Sequence, residues 1–260
     1  MSEDSRIAIN DEKERRNKRG IVVLVSLFVI ACLCAVCCCF ILSDLPRIYQ
    51  FSLLNFTEEG KAAKALLEEA EIWEIEYYDG FLEDKELWWV GSDSSEFGIY
   101  SQTIEDGVYR IDATAKQGFY RKETYNIRPV RDFYLAVKGN ITSGSCSGDY
   151  GVVFRKKGSD FYQITIDDSG YFDVRIMYEG EWEQLKVGNF ISKIGVDIPR
   201  KITVIAKGSN FYFFVDDQFV THVEDDRLSS GFVGLTFGLH YAGDQAIFEF
   251  DNFELRVPQE

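Results

Sequence analysis

Residues 160–182 read DFYQITIDDSGYFDVRIMYEGEW. Apolar and polar residues alternate with period 2 on both sides of Asp168-Ser169-Gly170, so that Phe172, Val174 and Ile176 point one way and Asp173, Arg175 and Met177 the other. Two strands joined by a glycine-containing turn, each with one buried face, follow from that pattern. The run just before it, Gly151-Val152-Val153-Phe154-Arg155, sets Val152 and Phe154 against Arg155, and Lys157-Gly158-Ser159 supplies the intervening turn.

Working outward, the same period predicts strands over 99–104, 108–113, 132–140, 150–156, 161–166, 171–178, 201–207, 211–216, 219–224, 231–237 and 247–257. Glu105-Asp106-Gly107 is an Asp-Gly hairpin signal, and Glu179-Gly180, Gly208-Ser209-Asn210 and Asp216-Asp217 are further turns. Ile202, Val204 and Ala206 oppose Thr203 and Ile205, while Pro129, Pro199 and Pro258 fall at strand boundaries, where a missing N–H costs no ladder bond. No helical segment between these strands is long enough for a parallel crossover. The pattern is that of an all-β antiparallel sandwich or barrel.

Upstream of the strands the chain has a different character. Residues 21–42 hold 22 residues with Ser26 as the only clearly polar one, enough for a helix of roughly 33 Å that spans a bilayer core. Lys13, Arg15, Arg16, Lys18 and Arg19 precede it and only Arg47 follows closely, which places residues 1–20 in the cytoplasm and the strand-rich part outside. An alternative reading takes Val29-Ile30-Ala31-Cys32 as a lipobox, with a lipidated Cys32 as the mature N-terminus. Residues 43–76 then form a linker and a juxtamembrane helix. Asn55 and Glu58 give its start signature, and Ala63, Leu66, Leu67, Ala70 and Trp73 form its apolar stripe through Glu76, as a spacer, packed on the domain, or as a dimerising helix. Residues 77–260 make up the sandwich domain.

Charge and cysteine usage divide at the same place. Of the chain's 28 basic and 43 acidic residues, 22 and 38 follow residue 43, a net −16 that argues against nucleic acid or anionic lipid as the main partner. Five of six cysteines lie at 32–39 and only Cys146 belongs to the domain, which is therefore held by its core and not by disulfides.

The runs GVVFR at 151–155, DFYQI at 160–164 and GYF at 170–172 onward to Glu181-Trp182 resemble the middle strands of concanavalin A-like, laminin-G-like jelly rolls. FYFFVDDQ at 211–218, GFVGL at 231–235 and FDNF at 250–253 look like that group's closing strands, in particular those of exported bacterial domains related to the 3-keto-disaccharide hydrolase-like family. The resemblance covers about residues 77–257. It implies a concanavalin A-like sandwich, which follows the transmembrane span and short juxtamembrane helix read above. Its motifs are core and turn patterns, which specify fold far better than activity.

Candidate site residues follow from faces and spacing. Arg155, Gln163, Tyr171, Asp173 and Arg175 are assigned to the polar side of neighbouring strands, with His240 and Tyr241 in a later loop. A polar face carrying aromatic rings suits a carbohydrate or another surface ligand. Trp88, Trp89 and Trp182 are read as core. Glu249, Asp251 and Glu254 match the Glu-x-Asp-x-x-Glu spacing of laminarinase-like hydrolases, where two carboxyls about 5 Å apart are needed. On an unbulged strand Glu254 faces away from the other two, so catalysis is the weaker expectation. Asp167-Asp168, Asp216-Asp217 and Glu224-Asp225-Asp226 are acidic turns that leave calcium as the one cation to consider. His222 and His240 are too few for a dedicated zinc site, and no other cofactor is implied. Asn55 and Asn140 stand in glycosylation sequons that matter only in a eukaryotic secretory route. The readings carried forward are an extracytoplasmic glycan-binding module, a glycoside hydrolase-like enzyme, and a structural or sensory ectodomain working through protein contacts.

Overall fold

The computed structural model describes residues 54–145, 148–167, 169–189 and 198–259. The apolar run at 21–42, the tail before it, Cys32 and Cys146 lie outside them. Among the described residues no helix is long and apolar enough to cross a membrane.

One helix, α1 (Glu58–Ala70), leads into fifteen strands. They are β1 (Glu74–Asp79), β2 (Gly91–Ser94), β3 (Gly98–Glu105), β4 (Val108–Ala115), β5 (Phe119–Val130), β6 (Phe133–Ser145), β7 (Gly148–Lys157) and β8 (Asp160–Asp167). The series continues with β9 (Tyr171–Tyr178), β10 (Glu181–Asn189), β11 (Arg200–Lys207), β12 (Asn210–Val215), β13 (Gln218–Glu224), β14 (Gly231–Leu239) and β15 (Gln245–Val257). A nine-stranded sheet has the order β13-β12-β11-β6-β15-β4-β3-β2, with β1 also on β15, and a six-stranded sheet runs β10-β9-β8-β7-β14-β5. All pairings are antiparallel, as the turn spacing predicts. At the Asp106-Gly107 turn both residues have positive φ, 52° and 79°, the geometry that makes Asp-Gly a hairpin signal.

The core lies between the two sheets. Val152, Phe154, Ile164, Phe172, Val174 and Ile176 meet Leu135, Ile202, Val204, Phe211, Phe213 and Phe248 there. Rings of Phe154 and Tyr162 stack at 5.3 Å, and Phe211 meets Phe154 edge-on at 5.2 Å. Each such side chain contributes about 1.5–3 kcal/mol of burial, enough to hold a sandwich without disulfides.

A second cluster explains why Ile205 is apolar although it points away from the main core. Ala63, Leu67 and Ala70 of α1 cover Tyr134, Ala136, Ile205, Phe214 and Phe219 on the back of the nine-stranded sheet. The helix is packed on the domain, and it ends at Ala70, six residues before the expected Glu76. Its N-cap is Thr57, whose hydroxyl accepts from the Gly60 N–H at 3.0 Å, with Glu58 and Glu59 in the first turn complementing the dipole. Asn55 is no cap: its carboxamide accepts from the Phe219 N–H at 2.9 Å and donates to the Phe219 carbonyl at 3.4 Å. β1, β2, β5 and β10 are strands that alternation did not reveal.

Candidate functional site

The outer face of the six-stranded sheet carries most of the predicted binding residues. Register sets Gln163 of β8 opposite Arg175 of β9, and Arg175 opposite Gln184 of β10; in the next row Asp173 lies opposite Thr165. Arg175 donates from Nε to the Asp173 carboxylate at 2.6 Å, and the Gln184 amide donates to both its oxygens at 3.2 Å. At the far end of this face Asp149 of β7 accepts from the Tyr120 and Thr165 hydroxyls, each at 3.1 Å, and lies 3.4 Å from His240 Nε2. Its Oδ1 has no hydrogen-bond partner. The Tyr171 N–H donates to Asp167 at 2.9 Å, which fixes the start of β9.

The Asp149 carboxylate holds the His240 imidazole above its ordinary value; partial burial acts the other way and does not cancel it. The protonated form thus stabilises the fold below the unfolded-state pKa of about 6.5, and that stabilisation fades as pH rises through the higher folded-state value. His240→Gln is accordingly expected to lower the melting temperature most near about pH 6, with the gap to the parent closing toward about pH 9. A gap that stays constant over this range would remove the ion pair as its source.

Along the same face lies a cleft of about 760 Å³. Gln163 and Thr236 are in its floor, Phe161 and Trp182 in one wall, and Phe97 and Tyr100 at the opposite end. Thr236 donates to the Arg121 carbonyl at 2.8 Å. The Gln163 carboxamide is 2 % exposed and makes no hydrogen bond to a described residue. Trp182 meets Phe161 edge-on at 5.4 Å and stays 45 % exposed.

Several sequence assignments change here. Arg155 does not belong to this face: it is 1 % exposed, because a bulge in β7 after Phe154, with φ of +49° at Arg155, turns the side chain inward. Its guanidinium donates to the carbonyls of Leu228, Arg131 and Gly208 at 2.8, 2.9 and 2.6 Å. Trp88 is core as expected, whereas Trp89 and Trp182 are exposed. Asp149, a strand residue of β7, belongs to this face. Of the predicted set, Gln163 lines the cleft, while Asp173, Arg175, Tyr171 and His240 extend the face beyond it. Trp182 was findable: a two-residue turn at Glu179-Gly180 pairs it with Met177, on the polar side of β9.

The hydrolase-like acids sit elsewhere. A bulge at Asn252, φ +52°, lies where β15 changes its partner from β4 to β1. Phe250 and Phe253 both reach the core across it, so Glu249, Asp251 and Glu254 share the side of the nine-stranded sheet that faces away from the core. Glu249 accepts from Arg110 at 2.7 Å, Glu254 is bound by Arg256, and Asp251 holds the Asn252 N–H at 2.6 Å. None of the three lines the cleft. Acidic turns are likewise engaged: Asp167 caps Ser169 and Tyr171, Asp216 and Asp217 bind Arg200 and Lys201, and Asp225 binds Arg227. Among the described residues no group of three or more His, Cys, Asp or Glu is placed to hold a metal ion. His222 stacks on Tyr212 at 4.5 Å, and Asn140 is 8 % exposed in β6, a poor acceptor for a glycan on the folded chain.

Two sheets of this order and length define a concanavalin A-like, galectin-like jelly roll. Solved structures bear this out. A Bacillus subtilis protein of unknown function with a galectin-like fold superposes with TM-score 0.54 at 10% identity, over 72% of this chain and 98% of that one. The Bacillus licheniformis beta-glucanase matches at 0.53 and 10%, over 70% and 98% of the two chains. The catalytic domain of an endo-1,3-beta-glucanase (laminarinase) from Thermotoga petrophila matches at 0.52 and 8%, over 72% and 99%. At such identities the likeness is one of fold. No protein-family model matches the sequence, and no curated protein does.

Proposed function

We propose that this chain is a membrane-anchored, extracytoplasmic glycan-binding module that holds its ligand in the cleft on the six-stranded sheet. The observation that carries the reading is the Gln163 carboxamide, which makes no hydrogen bond to a described residue, in the cleft floor beside the half-exposed ring of Trp182. Sugar recognition needs that pairing: a planar ring against C–H faces and an amide that gives and takes hydrogen bonds with hydroxyls. The acids of the Glu-x-Asp-x-x-Glu run, each tied to a neighbour and outside the cleft, favour binding over hydrolysis. The anchor is the apolar run at 21–42 with its basic N-terminal flank.

Full-length protein in a non-glycosidic detergent, applied to an array of neutral and acidic oligosaccharides, is expected to bind a subset of them. Trp182→Ala is expected to weaken that binding about thirtyfold, the loss of a hot-spot ring worth about 2 kcal/mol. Its melting temperature should hardly change, because the ring sits half in solvent at a hairpin. No binding to any glycan, or full affinity in the variant, would sink the proposal. The intact mass of the same preparation reports the anchor: an N-terminus cleaved and lipidated at Cys32 would replace the span by a lipid.

A further inference from the structure

The cationic lining of this cleft is unlike the rest of the domain. Arg121, Lys122 and Lys156 line it and no acidic residue does, on a chain whose net charge is −15. Arg121 is already engaged, donating to the Tyr100 hydroxyl and lying 4.0 Å from Asp93. The two lysines are not: neither side chain makes a salt bridge or hydrogen bond to a described residue. Lys122 instead reaches across the sheet from β5 and sets its ammonium 4.5 Å from the centre of the Phe161 ring, next to Trp182. Burial lowers the Lys122 ammonium below the ordinary lysine range, Lys156 and Arg121 add to the effect, and neighbouring Glu123 offsets it only in part. Lys122, Lys156 and Arg121 repel one another with Glu123 as only a partial offset, and that repulsion costs free energy in the empty domain. A bound anion would remove that cost and gain charge-assisted hydrogen bonds.

Resting on the glycan-binding reading of the same cleft, we infer that its ligand is an acidic glycan, whose carboxylate or sulfate lies between Lys122 and Lys156 while a neighbouring sugar ring packs on Trp182 above Gln163. The two groups divide the labour. The ring and carboxamide recognise sugar; the lysines select the charged one.

The test uses the full-length chain and matched probes: oligogalacturonides, the same oligomers with their carboxyls reduced to alcohols, a sulfated galactan and its desulfated form, and polyglutamate as an anion without sugar. At least one acidic member is expected to bind about tenfold or more tighter than its neutral counterpart, the effect of one charge-assisted hydrogen bond. That preference should shrink as salt rises. Lys122→Gln combined with Lys156→Gln should erase the preference by bringing acidic-sugar affinity down to that for neutral sugar, whereas Trp182→Ala should weaken binding of both kinds. Equal binding of charged and neutral partners, unaffected by the lysine changes, would overturn this inference and leave the glycan reading standing. Binding of polyglutamate as tight as that of acidic sugar would overturn it as well, by showing charge without recognition. Silence from every sugar would overturn both readings.

Discussion

Replacing Arg155 with alanine is expected to destabilise the domain by about 3–5 kcal/mol, the range for removing one side of a buried charged network. The guanidinium is held by three carbonyls from three separate segments, those of Leu228, Arg131 and Gly208, and it lies 4.7 Å from the centre of the Phe211 ring. Alanine strands those carbonyls in a place water reaches poorly and opens a void against Phe211. Asp132 stands 3.8 Å away and gives the charge a partial counterpart. Lysine in the same position is expected to recover little, because a single ammonium cannot span three acceptors that a planar fork reaches together. Urea unfolding of the full-length chain measures this. A loss below about 1 kcal/mol in Arg155→Ala would mean that the network is dispensable. Since Arg155 is outside the cleft, glycan affinity of the folded variant should match the parent.

The same residue shows why the fold was more legible in the sequence than the site. Period-2 alternation places Val152 and Phe154 in the core because each strand has one buried face, and both are fully buried. Extending the period by one residue then puts Arg155 outside. What defeats the extension is a bulge, and a bulge is set by tertiary contacts: Gly231 of β14 comes so close that a Cβ there would lie 2.3 Å from the Arg155 carbonyl carbon. The acidic run on β15 illustrates the opposite case, where a bulge at Asn252 unites three carboxylates that strict alternation splits. Lys122 was hidden for another reason. Arg121-Lys122-Glu123 interrupts the alternation of β5 with three consecutive charges, so the strand that carries the cleft's cation does not read as a strand. Asp173 and Arg175 were legible because β9 is regular from end to end.

Asp79→Ala is the second change expected to cost about 3–5 kcal/mol. Asp79 ends β1, is fully buried, and gathers the segment that follows it. Its carboxylate accepts from the Phe81 N–H at 3.0 Å, the Trp88 indole N–H at 3.1 Å and the Tyr77 hydroxyl at 2.6 Å, with Lys85 as counter-ion at 3.3 Å. Burial, and then this bond to Asp79, push the Tyr77 hydroxyl well above the usual phenol range. Alanine would leave two buried N–H groups and a hydroxyl without an acceptor, the arrangement that proteins tolerate least. The consequence reaches function through geometry. Phe81 and Trp88 pack on Tyr109, whose hydroxyl donates to the Trp89 carbonyl at 2.7 Å, and the chain continues from there into β2 and β3. β3 supplies Tyr100 to the end of the cleft. Loosening the knot at Asp79 is therefore expected to lower stability and also to shift tryptophan emission to the red as Trp88 loses its partner. Asp79→Asn keeps one acceptor oxygen and should lose about half as much. An Asp79→Ala protein that unfolds at the parent's urea midpoint, with unchanged emission, would show that Lys85, Tyr77 and Trp88 find other partners and that the segment is held by its rings alone.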